Sequence, residues 1–166
     1  EQCSSERTAS YKADVVRRLV GEKPQRMADL TGGFGVDFSF MSRGFRHKTY
    51  VERQENLCRV VAHNMPLLGV ENAEIVCGNT EEYLLNMPHA TTIFIDPARR
   101  DEHGTKTVLI ADCTPDVCQL LPSLMQKSQF VMLKLSPMLD WHKAIVDLNG
   151  KVREVHIVSA DGECKE

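Results

Sequence analysis

Two hydrophobic periods alternate along this chain. Residues 5–21 place Val15, Val16, Leu19 and Val20 on one helical stripe, with Ser4 or Ser5 able to cap its start and Gly21 and Pro24 ending it. After it, "RMADLT" reads as a strand, "VDFSFMSRG" as a helix closed by Gly44, and "KTYVE" as a second strand. A longer helix from Gln54 to Leu68 stops at Gly69, "AEIVCG" forms a third strand, and residues 80–86 form a short helix. "TTIFID" is a fourth strand, and a polar loop follows it through Lys106. A helix over residues 115–126 with Thr114 before it as cap, a fifth strand "QFVMLKLS", a helix "MLDWHKAIVDL" and a sixth strand "VREVHIVSA" complete the order.

Regular strand–helix alternation with short, nearly all-apolar strands predicts an α/β fold: a Rossmann-like, mostly parallel, doubly wound sheet covered by helices on both faces. With 166 residues the chain makes one domain, residues 1–166, around one core. Ligands of such sheets bind beyond the carboxyl ends of the strands, where the strand order reverses. The residues just after each strand therefore carry the functional question.

Composition narrows the class. A hydrophobic share of 42% and a charged share of 26% are ordinary globular values, and no uncharged apolar run approaches a membrane span. A net charge of −3 gives no global field for nucleic acid, and the local basic groups (Lys12, Arg17 and Arg18; Arg43, Arg46, His47 and Lys48; Arg99, Arg100 and Lys106) read singly as solvated faces. The six cysteines include no C-x-x-C pair, which suits free thiols in a reducing cytoplasm. Cys113 and Cys118 are poorly spaced for shared ligation and the histidines are dispersed, so no metal site is expected.

The strand ends are specific. After the first comes "DLTGGFG", residues 29–35, a concentration of glycine whose entropy cost implies a close backbone approach. No Lys-Ser/Thr pair follows, which excludes a Walker A loop, and Phe38 stands where a dinucleotide fingerprint has its third glycine. Asp29 can receive an ammonium, and the glycine amides can approach a carboxylate or ribose. After the second strand Glu52 can take ribose hydroxyls, or equally favour the start of the next helix. Asn79 can hold an adenine amine or cap its helix. "IDPARR" then aims the Asp96 carboxylate and backbone, stiffened by Pro97, into the cleft, where two acceptors can align an amine for attack. Arg99 and Arg100 can grip phosphate or carboxylate. Lys134 and Ser136, at the cleft mouth, can do the same for substrate phosphate. A ligand that joins an amino-acid zwitterion to a nucleoside meets these requirements: S-adenosylmethionine.

"SSERTASYKA", "DLTGGFGVDFSFM", "YVERQENLC", "FIDPARRD" and "KLSPMLD" together resemble the bacterial THUMP-domain-like class I methyltransferases. The resemblance implies an S-adenosylmethionine-dependent enzyme with RNA, rRNA or tRNA, as its substrate. It assigns Asp29, Thr31, Gly33, Gly35, Glu52 and Asn79 to the cofactor and Asp96 and Pro97 to catalysis. Adenine and guanine amino-methyltransferases carry a second proline and an aromatic where Ala98 and Arg99 stand here. RNA uridine five-position enzymes need a cysteine nucleophile after the fifth strand, and Lys134-Leu135-Ser136-Pro137-Met138 has none. Direct transfer to an amine or another heteroatom is the expectation. A nicotinamide-dependent oxidoreductase and a non-catalytic module that keeps the cofactor pocket are the alternatives. Trp141, Phe38 and Phe40 read as packing residues. Asp161-Gly162 signals a hairpin into a seventh strand that is truncated or missing. The expectation is a piece of a longer protein with a further C-terminal domain.

Overall fold

The computed structural model describes residues 3–22, 24–99 and 109–166. Five parallel strands form the central sheet: β1 (Arg26–Asp29), β2 (His47–Glu52), β3 (Ala73–Cys77), β4 (Ala90–Ile95) and, after two short strands, β7 (Ser128–Leu133). Their order is β3-β2-β1-β4-β7, so the chain winds outward from β1 to β3 and then returns to the other side of β1 at β4. The order reverses between β1 and β4, with Asp29 opposite Phe94 in the register. Asp29 and Asp96 therefore flank the place where such sheets bind ligands.

Alternating side chains feed two cores. Met27, Tyr50 and Phe94 pack under α1 (Glu6–Val20), α2 (Val36–Met41) and α3 (Glu55–Leu67). Ala28, Val51, Ile93 and Ile95 face the opposite layer, which holds α4 (Thr80–Asn86), α5 (Val117–Lys127) and Leu148 at the end of α6 (Trp141–Asp147). Ser5 caps α1 by accepting the Thr8 amide at 3.2 Å. No helix is long and apolar enough to cross a membrane among the described residues.

The fold class is the expected one, with differences at three places. The helix expected from residue 115 under Thr114 starts at Val117, because the Asp116 carboxylate takes the amides of Cys118 and Gln119 at 3.0 and 3.2 Å. The polar loop after β4 contains a small antiparallel pair, β5 (Ala98–Arg99) with β6 (Cys113–Thr114); most of its remainder lies outside the described residues. The sixth sheet strand is absent from "VREVHIVSA". Only Ser159–Ala160 (β8) pairs, with Glu163–Cys164 (β9), around Asp161 and Gly162 at φ 56° and 80°. The pairing reaches back only to Val158, whose amide donates to the Glu166 carbonyl and whose carbonyl accepts the Lys165 amide, both at 2.8 Å. The segment instead lies along α1, where Arg18 grips Glu154 at 2.5 and 3.1 Å and the Tyr11 hydroxyl meets His156 Nδ1 at 2.7 Å.

Candidate active site

The turn after β1 is built by its own polar groups. Asp29 is 1% exposed, and its Oδ1 accepts the Thr31 amide at 3.0 Å, a turn typical of Asp. Burial pushes its carboxyl well above the ordinary carboxylate range. The Thr31 amide opposes that rise, and the charges of Asp37, Asp96 and Glu52 add to it. Thr31 Oγ1 in turn accepts the Asp96 amide at 2.7 Å, tying the end of β1 to the end of β4.

Gly33 joins this turn to β2. Its amide donates to Glu52 Oε2 at 3.0 Å, its carbonyl accepts the Tyr50 hydroxyl at 2.5 Å, and Glu52 Oε1 accepts the Gln54 amide at 2.8 Å. Gly33 and Gly35 lie at φ 54° and 73°, and a Cβ on Gly35 would collide with the Met65 side chain. A Cβ on Gly32 would overlap the Tyr50 ring. The close approach demanded by this glycine cluster is thus partly internal, to Tyr50 and Met65. Thr80 adds a further brace, donating to the Leu30 carbonyl at 2.5 Å.

At the end of β4, Pro97 is buried and the Asp96 Oδ2 accepts from Lys134 Nζ at 2.5 Å. Burial raises the Asp96 carboxyl above its ordinary range, and the Lys134 ammonium works against the rise. Asn79 spends its side-chain oxygen on the amides of Glu81 and Glu82, at 2.8 and 3.4 Å, as the cap of α4. The backbone of Arg99 lies in β5, and Arg100 is outside the described residues. Asp29, Thr31, Asp96 and Lys134 therefore form one chain of polar contacts across the switch point, and Gly33 with Glu52 forms a second; the turn after β1 contributes to both. Gly35 starts α2 from the same loop, and Asn79 lies one residue before the Thr80 brace.

Several participants were not anticipated. Lys12, grouped by sequence with solvated arginines, is 5% exposed; its Nζ lies 3.2 Å from Asp37 Oδ1, 3.1 Å from Ser4 Oγ and 2.5 Å from Glu166 Oε1. Its position among Ala9, Ala13 and Val16, on the buried face of α1, was the available signal. Tyr50 was read only as a strand residue. Trp141, read as packing, is 42% exposed and stacks on His142 with ring centroids 3.4 Å apart.

Acidic side chains are in excess around the site. Among the described residues, the carboxylates of Asp29, Asp37, Glu52, Asp96 and Glu166 outnumber the ammoniums of Lys12 and Lys134. Where these groups are ionised, such an excess favours a cationic group over a diphosphate. Moreover, the Gly33 amide, of the kind that receives a pyrophosphate in dinucleotide folds, is already bonded to Glu52. No group of three or more metal-ligating side chains occurs among the described residues.

A parallel sheet with a glycine turn after its first strand and an acid ending its second defines a Rossmann-like fold, and the comparisons specify the variety. A protein of Porphyromonas gingivalis W83, provisionally named a methyltransferase, matches 99% of this chain at 33% identity with a TM-score of 0.79. This chain spans 39% of that protein's length. An rRNA methylase of Streptococcus thermophilus matches 99% of this chain and 93% of its own, at 12% identity and a TM-score of 0.63. A Streptococcus mutans protein, provisionally named a methyltransferase and solved in complex with SAH, matches 98% of this chain and 93% of its own, at 11% identity and 0.64. No family model and no curated protein matches the chain. The chain has the class I methyltransferase fold.

Proposed function

We propose that this chain binds S-adenosylmethionine and methylates an amine or other heteroatom of RNA, rRNA or tRNA, by direct transfer. The observation that carries this reading is the placement of three acids around the switch point: Asp29 and Asp96 tied through Thr31, and Glu52, whose charge acts on Asp29, held by the Gly33 amide. When bound, S-adenosylmethionine would supply a methyl group on a sulfonium, with sulfur keeping the electrons of the bond that breaks. Asp29 attracts the ammonium of the amino-acid part, Glu52 the ribose hydroxyls, and Asn79 with the Thr80 brace shapes the adenine side. Asp96 orients an acceptor N–H and takes up the proton that methylation releases, and Pro97 restricts the backbone that aims it. The stretch after β7 holds no cysteine that would add to a pyrimidine ring, which favours a heteroatom acceptor.

RNA as the acceptor rests on the THUMP-like sequence resemblance, and an rRNA methylase shares the fold. Arg99 and Arg100 are its phosphate contacts in this reading. We also assign the chain to the cytoplasm, as a methyltransferase domain over residues 1–166. An oxidoreductase reading is disfavoured by the carboxylates that a dinucleotide diphosphate would face.

Calorimetric titration with S-adenosylhomocysteine and, separately, NAD tests the cofactor. Binding of the first alone is expected; NAD binding alone would overturn the reading. Tritiated methyl incorporation into total cellular RNA, lost in Asp96→Ala, tests the acceptor. Label appearing only in protein would remove RNA.

A further inference from the structure

The backbone of Asp96 is held from both sides. Thr31 Oγ1 accepts its amide at 2.7 Å, and Pro97 fixes the next φ. Its side-chain torsions remain, and they decide where the carboxylate points. Lys134 addresses them. Its amide donates to the Ile95 carbonyl at 2.9 Å, continuing the β4–β7 pairing by one residue, and its Nζ reaches Asp96 Oδ2 at 2.5 Å. The side chains are 14% and 35% exposed, a largely buried pair between the ends of β4 and β7. The contact fixes the direction of the carboxylate that the methyltransfer reading turns toward the acceptor.

We propose that Lys134 is a positioning residue, which holds Asp96 ionised and turned so that Oδ1, the oxygen its ion pair does not use, meets the acceptor. The inference rests on the methyltransfer reading above, and it replaces the expectation that Lys134 grips substrate phosphate. Asp96 also faces Lys12 from α1, Asp37 from α2 and Asp29 from β1, and Glu166 acts on Lys134 from the tail. Three carboxylates thus act on the pair against one further ammonium. Without Lys134, burial and the charges of Asp37 and Asp29 would raise the Asp96 carboxyl further, toward the protonated form that cannot accept a proton. A protonated Asp96 could still accept a hydrogen bond through its carbonyl oxygen, but it could not take up the proton that methylation releases.

The test compares wild type, Lys134→Met and Lys134→Arg. The Asp96 carboxyl carbon is followed by NMR against pH in protein labelled with ¹³C-aspartate, without any ligand. The Asp96 midpoint is expected to move upward in Lys134→Met and to return toward wild type in Lys134→Arg. With S-adenosylmethionine and total RNA, Lys134→Met should lose about 10²-fold in rate at pH 6 and recover toward alkaline pH. An unchanged Asp96 midpoint in a folded Lys134→Met overturns the proposal. So does a rate loss that is the same at every pH and accompanied by weaker RNA binding, which would return Lys134 to phosphate. Calorimetry with S-adenosylhomocysteine separately reports the cofactor reading: no binding in wild type sinks that reading, whereas the Asp96 midpoint tests the Lys134 contact itself.

Discussion

Gly32→Ala is the sharpest test of how the site is built. The new methyl would lie within the Tyr50 ring, which is fully buried, crosses Phe38 edge-on at 5.8 Å and holds the Gly33 carbonyl through its hydroxyl at 2.5 Å. Either the ring or the loop must move. Overpacking of this kind costs about 1–3 kcal/mol. Losing the bond between the Tyr50 hydroxyl and the Gly33 carbonyl costs about 1–3 kcal/mol more. A total near 3 kcal/mol predicts a fall in Tm of about 6–12 °C, at about 2–4 °C per kcal/mol for a chain of this size. Gly78→Ala is the control: its Cβ meets nothing nearer than Val76 Cγ1 at 3.8 Å and its φ is ordinary, so its effect should stay within about 0.5 kcal/mol. Urea unfolding followed by far-UV circular dichroism reads both. In a Tyr50→Leu background, the Gly32→Ala penalty should shrink, since the clash is with the ring. Because Gly33 also carries the bond to Glu52, S-adenosylhomocysteine affinity should fall with stability. Equal stabilities for Gly32→Ala and Gly78→Ala would refute the reasoning.

Three further outcomes follow from the same coordinates. Burial raises the Asp29 carboxyl, so its contribution favours the folded state below the usual Asp range and is lost as pH rises through the raised value; a ligand ammonium pulls that value down, so calorimetry should show proton release on binding and affinity rising with pH, and a flat profile would contradict it. Lys12→Met strands the buried Asp37 and Glu166 carboxylates and should cost about 3–5 kcal/mol in urea denaturation, partly recovered by Asp37→Leu; an unchanged midpoint would show that the cluster is solvated. Asn79→Ala should cost about 1 kcal/mol as a lost cap, whereas Asn79→Asp keeps the cap; a drop in S-adenosylhomocysteine affinity for Asn79→Asp at unchanged stability would mark the amide nitrogen as the adenine contact, and unchanged affinity would leave Asn79 as a cap alone.

The sheet was legible because its strands are short, apolar and punctuated by Gly and Pro, and because caps such as Ser5 and Asn79 act locally. The strand-end acids were legible for the same reason: topology, not distant packing, puts Asp29, Glu52 and Asp96 at one edge. What escaped depends on tertiary partners. Lys12 looks like any helical lysine until Asp37 and Glu166 close over it, and Lys134 looks like a phosphate contact until Asp96 is found across the β4–β7 pair. The strand read from "VREVHIVSA" has the right period, but pairing requires a neighbour, and period alone does not supply one. Trp141 failed in the opposite sense, since an aromatic on a short amphipathic segment reads as core whether or not anything covers it.

Thr31 has one amide and one hydroxyl, and each is committed to a different carboxylate residue: the first to the Asp29 side chain, the second to the Asp96 backbone. In the proposed reading, the donor and acceptor pockets are therefore joined through a single hinge, the four atoms N, Cα, Cβ and Oγ1 of Thr31. Whatever draws Asp29 toward an ammonium is felt, through that hinge, as a torque on the segment that greets the nucleophile. Thermodynamic reciprocity then requires that a bound acceptor tighten or loosen the donor by the same factor. Substituting Thr31 by Val, which keeps the amide and deletes the hydroxyl, separates the two halves and would turn a coupled pair of binding events into two independent ones.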